Sequence, residues 1–376
     1  MDRHDHLLET AVIGLAASAA ILGLIAGWLI ERGHFCTMGA ISDAYLFGSH
    51  RRIRTWLLAM ATALLACQAL AASGLVPLDD TPYRTSRIEP IALFGGGLLF
   101  GIGMVMAGGC ASRSLVRLGA GSLKALVVVL VLGLTAMATA QGILAWPAGL
   151  VRGALAWTTT APSPSPGGLL AGAMAVEAPA LDLAFALLLG AGLLYWIFKD
   201  PGFRRNRLDQ LVGFGLGMAS AAGFAVTGWL FRDLAAPSGI VSLNFAAPMG
   251  EFVTWGALGR NAWPGFGAAL VLGTIGGAAF SAAGKHRLRI ETFTSPDDMI
   301  RHVLGGMLMG FGGVLAMGCT IGQGVSGIAT LALGSFLALA GIVLGALVAL
   351  RRLEQGSWRG AFGWGEGRRL EPAERA

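Results

Sequence analysis

The chain has 376 residues, 55% of them hydrophobic and only 13% charged, with a formal net charge of +6 at pH 7 and a mean hydropathy of +0.68. A soluble domain carries roughly 25% charged residues, so this composition excludes a soluble enzyme and places the chain in a bilayer. The excess Arg and Lys falls in short clusters without interleaved aromatics, which excludes a nucleic-acid surface.

The N-terminal MDRHDHLLET is mixed in charge and runs into a long apolar stretch, which reads as a first membrane span and not a cleaved signal peptide. Nine spans are predicted, at about 10–30, 54–76, 91–108, 121–146, 180–198, 208–225, 263–283, 302–317 and 328–350. The spans that end at Cys110 and Cys319 fall short of the ~20 residues needed to cross the hydrocarbon core, which predicts broken helices and re-entrant segments. Such backbone is tolerated at membrane depth only where protein or water covers it.

The basic clusters are SHRRIRT at 49–55, Arg113, Arg117 and Lys124, KDPGFRRNR at 199–207, KHRLR at 285–289 and the C-terminal RRLEQGSWRG. The alternate connections are neutral or acid-balanced: 77–90, the TTTAPSPSPGG region, 226–262 and the 320–327 turn. Nine spans with an outside N-terminus put every basic cluster in the cytoplasm. The expected organisation is a first membrane repeat over 1–150 (spans 1–4), a periplasmic loop with a central fifth span over 151–207, a second, inverted repeat over 208–351 and a polar cytoplasmic tail over 352–376.

The repeat is explicit. GLLFGIGMVMAGGCAS and GVLAMGCTIGQGVSG belong to matching frames: setting Gly96 on Gly305 also matches Gly101 to Gly310, Gly103 to Gly312, Gly109 to Gly318 and Cys110 to Cys319. A weaker match sets Gly27 on Gly217, Gly33 on Gly223 and Thr37 on Thr227, with Cys36 opposite Val226. The copies begin at spans 1 and 6, an odd shift, so they enter the membrane from opposite sides. Inverted repeats place a site between half-helices near the midplane.

Three of the four cysteines lie in such glycine-rich breaks, and no CxxC occurs, so neither a disulfide framework nor structural zinc is expected. Cys36, Cys110 and Cys319, with Thr37, Ser112, Thr320 and Gln323, form a set of neutral donors, and helix starts add partial positive charge suited to an anion. Gly108, Gly109, Gly318 and Gly322 would let backbone approach the pathway closely, and Arg113 is the one cation that can turn inward. Cys67, in ALLACQALAA, reads as core packing, as do Met38, Met104, Met106 and Met317. His34 beside Cys36 supplies too few ligands for a metal. Asn244 and Glu251 are placed either at a pathway mouth or in solvated loop.

GHFCTMGAISD, GLLFGIGMVMAGGCAS and GVLAMGCTIGQGVSG together resemble the YeeE/YedE family of bacterial inner-membrane sulfur-transport proteins, over nearly the whole chain to about residue 352. The resemblance implies an all-α, hourglass-like membrane fold of about nine spans with short re-entrant helices. It also implies uptake of thiosulfate or a related sulfur anion, passed along Cys36, Cys110 and Cys319 by weak S–H···S contacts. No cofactor and no enzymatic step is expected, and a TusA-like sulfurtransferase is the implied cytoplasmic partner. Two features depart from the family pattern: Arg113 where a small residue is expected, and the long proline-rich 146–180 loop. Selenium compounds or sulfite as cargo, a persulfide-forming sulfurtransferase or redox protein, and a membrane scaffold with merely packed cysteines are the alternatives.

Overall fold

The computed structural model describes residues 2–158, 163–174, 178–235, 239–259, 263–285, 288 and 290–355. The N-terminal half is built from α1 (Asp2–Arg32), α2 (Thr37–Phe47), α3 (Arg51–Ala72), α4 (Pro90–Met106), α5 (Ala111–Gly119), α6 (Leu123–Gln141), α7 (Ala145–Gly153) and α8 (Pro166–Met174). The remainder contains α9 (Ala178–Phe198), α10 (Pro201–Arg205), α11 (Arg207–Ala225), α12 (Arg232–Ala235), α13 (Ala246–Leu258), α14 (Phe266–Ala283), α15 (Pro296–Leu315) and α16 (Leu333–Gln355). The only paired strands among the described residues are β1 (Arg87–Ile88) and β2 (Trp157–Thr158), which are antiparallel.

This is an all-α membrane protein. Eight helical stretches among the described residues are long and apolar enough to cross a bilayer: Glu9–Phe47, Arg51–Ala72, Pro90–Gly119, Leu123–Gln141, Ala178–Phe198, Arg207–Leu230, Phe266–Ala283 and Leu333–Gln355. The remaining expected span coincides with α15, 20 residues long, whose first turns carry Asp297, Asp298, Arg301 and His302 and so dilute its apolar window. Two connections differ from expectation. Within 226–262 the chain forms a π-helical turn at Val226–Leu230 and the helix α13. The 320–327 connection is buried throughout and includes a second π-helical turn, Gly322–Gly327. Of the expected tail, residues 356–376 lie outside the described residues, as do parts of the 146–180 loop.

Glycines at four-residue spacing set the helix pairs, since they let backbones approach where no aqueous hydrophobic force drives association. Gly23 and Gly27 of α1 lie against Leu270 and Thr274 of α14, while Gly213 and Gly217 of α11 lie against Thr55 and Ala59 of α3. Gly97 and Gly101 of α4 meet Ala338 and Ile342 of α16, and Gly306 and Gly310 of α15 meet Val128 and Leu132 of α6. In each pair both residue numbers rise together, so the helices run parallel. The pair α4 and α15 is antiparallel: Gly96 abuts Gly312, and Gly103 abuts Gly305. Exchanging repeat mates turns the first of these contacts into the second, as a two-fold axis between α4 and α15 requires. These directions are those that nine alternating crossings demand.

Arg84, 8% exposed, pins the peripheral helix α9 to this frame. Its guanidinium donates to the Thr330 carbonyl (2.6 Å), to Asp182 on α9 (2.8 Å) and to Asp79 (3.1 Å). Asp182 also accepts the Gly167 amide at 2.8 Å. Arg84→Ala would strand the Asp182 carboxylate in the interior, and breaking a buried pair this way costs about 3–5 kcal/mol. Thermal unfolding in detergent should show a clear loss for Arg84→Ala and little change for Asp79→Asn, whose side chain is 63% exposed.

Candidate functional site

Three helices stop in the same manner. In α1, α4 and α15 a residue with positive φ follows the last turn: His34 (50°), Gly108 (68°) and Met317 (57°). The amides of these residues bond back to Glu31, Val105 and Val314, and the next amides reach Ile30, Met104 and Gly313. This is the Schellman arrangement, normally closed by glycine; His34 and Met317 hold it against the steric preference of a side chain.

A cysteine comes two residues after each stop and starts the next helix. The carbonyls of Cys36, Cys110 and Cys319 accept the amides of Ala40, Ser114 and Gln323 at 2.8–2.9 Å. The sulfurs also meet the new helix starts: Gly39 N–H points to Cys36 Sγ and Gly322 N–H to Cys319 Sγ, both at 3.4 Å. Cys110 Sγ instead pairs with Ser112 Oγ at 3.3 Å. The sequence stop–residue–cysteine–helix therefore occurs three times. At the fourth symmetry position, near Phe224, the helix does not break but continues into the π-turn at Val226.

The three breaks converge. Cys36 and Cys110 are side-chain neighbours close enough to interact, and Cys110 in turn acts electrostatically on Cys319. Cys110 and Cys319 are 1% and 0% exposed, Cys36 half-buried. Cys67 is buried in α3, outside this chain of contacts, as packing predicts.

Buried polar atoms normally find partners. Here several do not: Thr37 Oγ1, Thr320 Oγ1, Gln323 Oε1, Ser335 Oγ and Trp56 Nε1 have no hydrogen-bond partner. All five belong to buried side chains. Thr37 and Thr320 directly follow Cys36 and Cys319, and Gln323 lies one turn beyond Cys319, with its amide nitrogen on the Ala316 carbonyl. Ser326, by contrast, is satisfied by Ser220 and the Leu243 carbonyl.

Two cavities flank the cysteines. One, of ≈ 250 Å³, is lined by Tyr83, Arg87, Arg152, Met317, Gln323 and Ser335, among others, and so ends at the Cys319 turn. The other, of ≈ 240 Å³, is lined by His34, Cys36, Arg51, Arg52, Trp56 and Asp209, among others.

Of the remaining expected residues, Ser112 is engaged by Cys110, and Gly109 lies against the Arg113 side chain. Gly318 packs on Gln323, and Gly322 lies against Asn244. Gly108 serves as the αL stop and is exposed. Arg113 is half-buried, acts electrostatically on Cys36 and forms no ion pair among the described residues. Asn244, left open between mouth and loop, is half-buried; its side-chain oxygen accepts the Cys319 and Ala246 amides and so buttresses the second cysteine turn. The Glu251 carboxylate lies against Gly265 and Gly267 at the start of α14. Trp56 and Tyr83 were not singled out by sequence reasoning, since they carry no repeat frame of their own.

A family model described as sulphur transport matches residues 32–348, a stretch that opens just before Cys36 and includes all three helix breaks. The chain belongs to the sulphur transport family. The YeeE/YedE resemblance thus holds over most of the sequence. The chain is 28% identical over 336 residues to a protein of Spirochaeta thermophila named thiosulfate transporter TsuA, covering 86% of this chain and 95% of that one. An Escherichia coli protein of the same name is 25% identical over 362 residues, covering 90% and 94%. A shorter match, 32% over 92 residues or 24% of this chain, joins it to the probable transporter YedE of Escherichia coli.

Proposed function

We propose that the chain takes up thiosulfate, or a closely related small sulfur anion, through the constriction formed by Cys319, Cys110 and Cys36. The observation that carries this reading is the convergence of three cysteine-capped helix starts beside buried, unpartnered donors. An anion at the constriction would meet neutral O–H, S–H and N–H groups and the positive ends of short helices, which attract it without a fixed counter-charge to hold it. Weak binding of this kind is what passage requires. The soft, polarizable thiols suit the terminal sulfur of thiosulfate.

In this reading the anion enters from the cavity at Gln323 and Ser335, passes Thr320, Cys319 and Cys110, and leaves past Cys36 and Thr37 into the cavity at Arg51 and Arg52. The protein lies in the bacterial inner membrane, N-terminus outside and C-terminus in the cytoplasm, where a TusA-like sulfurtransferase would consume the cargo. The relatives named as thiosulfate transporters support the substrate.

Arg113, in the first turn after Cys110, favours one second reading, in which a thiolate attacks the outer sulfur of thiosulfate and forms a persulfide with release of sulfite. Radiolabelled thiosulfate uptake into cells lacking their own uptake systems, followed by intact-mass measurement of the purified protein, separates the two. Transport with unmodified thiols is expected. A persulfide adduct of about +32 Da would favour the second reading, and no uptake by the wild type would move the search to sulfite or selenium compounds.

A further inference from the structure

Trp56 sits at the first turns of α3, buried, with its ring packed on Gly324 of the π-turn that follows Cys319. The same side chain lines the ≈ 240 Å³ cavity that reaches Cys36. Its indole N–H, which can only donate, has no partner. Leaving such a donor buried and unpaired costs free energy, so its retention at a cavity wall points to a ligand that accepts from it.

The charges around this cavity are balanced. Arg51 pairs with Asp209 at 2.5 Å and Arg52 with Asp43 at 3.3 Å, so neither guanidinium is free of a carboxylate. The Arg52 guanidinium lies over Gly39, whose amide points to Cys36 Sγ. An anion leaving Cys36 would therefore find the buried, unpaired Trp56 N–H and two cations already partly neutralised.

We infer that this cavity is a distinct anion-binding station next to Cys36, taking a small tetrahedral oxyanion or thio-oxyanion, with the Trp56 indole N–H as its principal donor. The station deepens the transport reading and rests on it for its direction, but its occupancy can be measured without transport.

The test uses full-length protein in nanodiscs and N-ethylmaleimide labelling of Cys36, located by peptide mass spectrometry. Sulfate, a tetrahedral dianion inert to the reagent, is the probe. Sulfate should slow Cys36 labelling in the wild type. Trp56→Phe should raise the half-protecting sulfate concentration about tenfold, the usual effect of losing one donor to a charged acceptor. Trp56→His, which also loses ring area but keeps an N–H, should recover part of the protection. Unaltered protection in Trp56→Phe would overturn the inference, as would equal defects in both variants, which would mark Trp56 as packing alone. Absence of sulfate protection in the wild type would overturn it without any variant. Protection that depends on Trp56 in a protein that takes up no thiosulfate would leave the station standing and remove the substrate reading instead.

Discussion

Cys110→Ala is expected to lower thiosulfate uptake about 100-fold at unchanged membrane expression. In the proposed pathway Cys110 is the middle sulfur: its side chain neighbours Cys36, it acts electrostatically on Cys319, and Ser112 lies at 3.3 Å. Alanine removes the donor between Cys36 and Cys319 that the proposed pathway requires. Hydrogen bonds to a charged group contribute about 1.5–3 kcal/mol, and each 1.4 kcal/mol is a factor of ten. Cys110→Ser keeps a donor but loses polarizability and should sit between the two. Cys67→Ala, in the same helical bundle but outside the chain of contacts, should transport normally. Uptake that survived Cys110→Ala would reduce the cysteine cluster to packing, whatever the family's substrate.

Much of this arrangement was legible in the sequence, for physical reasons that can be named. Apolar runs near membrane length gave the spans, because lipid admits little else. The glycine frame gave the repeat, because parallel helix pairs such as α1 with α14 need small residues every fourth position where their backbones meet. The pairing of Cys110 with Cys319 across the pseudo-axis followed from that frame alone. What could not be read was conformation carried by ordinary side chains. Nothing about His34 or Met317 as residue types announces an αL helix stop; only Gly108, at the equivalent place, does so. The 320–327 segment lacks charge and reads as a connecting turn, whereas its glycine-rich backbone is buried within the bundle, where protein covers it. Trp56 and Asn244 belong to the site through tertiary contacts with the Cys319 turn, and no local spacing encodes a contact of that kind.

The same packing logic makes two adjacent glycines of α14 behave in opposite ways. Gly277 lies against the Leu24 carbonyl of α1, so close that a methyl group there would overlap backbone, not a side chain able to turn aside. Gly276 is exposed, and a methyl group added to it would meet nothing within 4 Å. Gly276→Ala should leave stability unchanged or raise it by up to about 1 kcal/mol, since alanine restricts the unfolded chain and favours helix. Gly277→Ala must push α1 and α14 apart along a seam that Gly23, Gly27 and Gly273 also hold closed. Overpacking of this sort ordinarily costs about 1–3 kcal/mol, and more where only backbone can yield. We therefore expect Gly277→Ala to cost over about 3 kcal/mol, seen as a lowered thermal midpoint and loss of a monodisperse peak in detergent. Because α1 ends in the Cys36 break, the displacement would also move that cysteine from Cys110, so any Gly277→Ala protein that folds should transport poorly. If Gly276→Ala and Gly277→Ala unfolded alike, the close parallel pairing of α1 and α14, and with it the register of the inverted repeat, would be wrong.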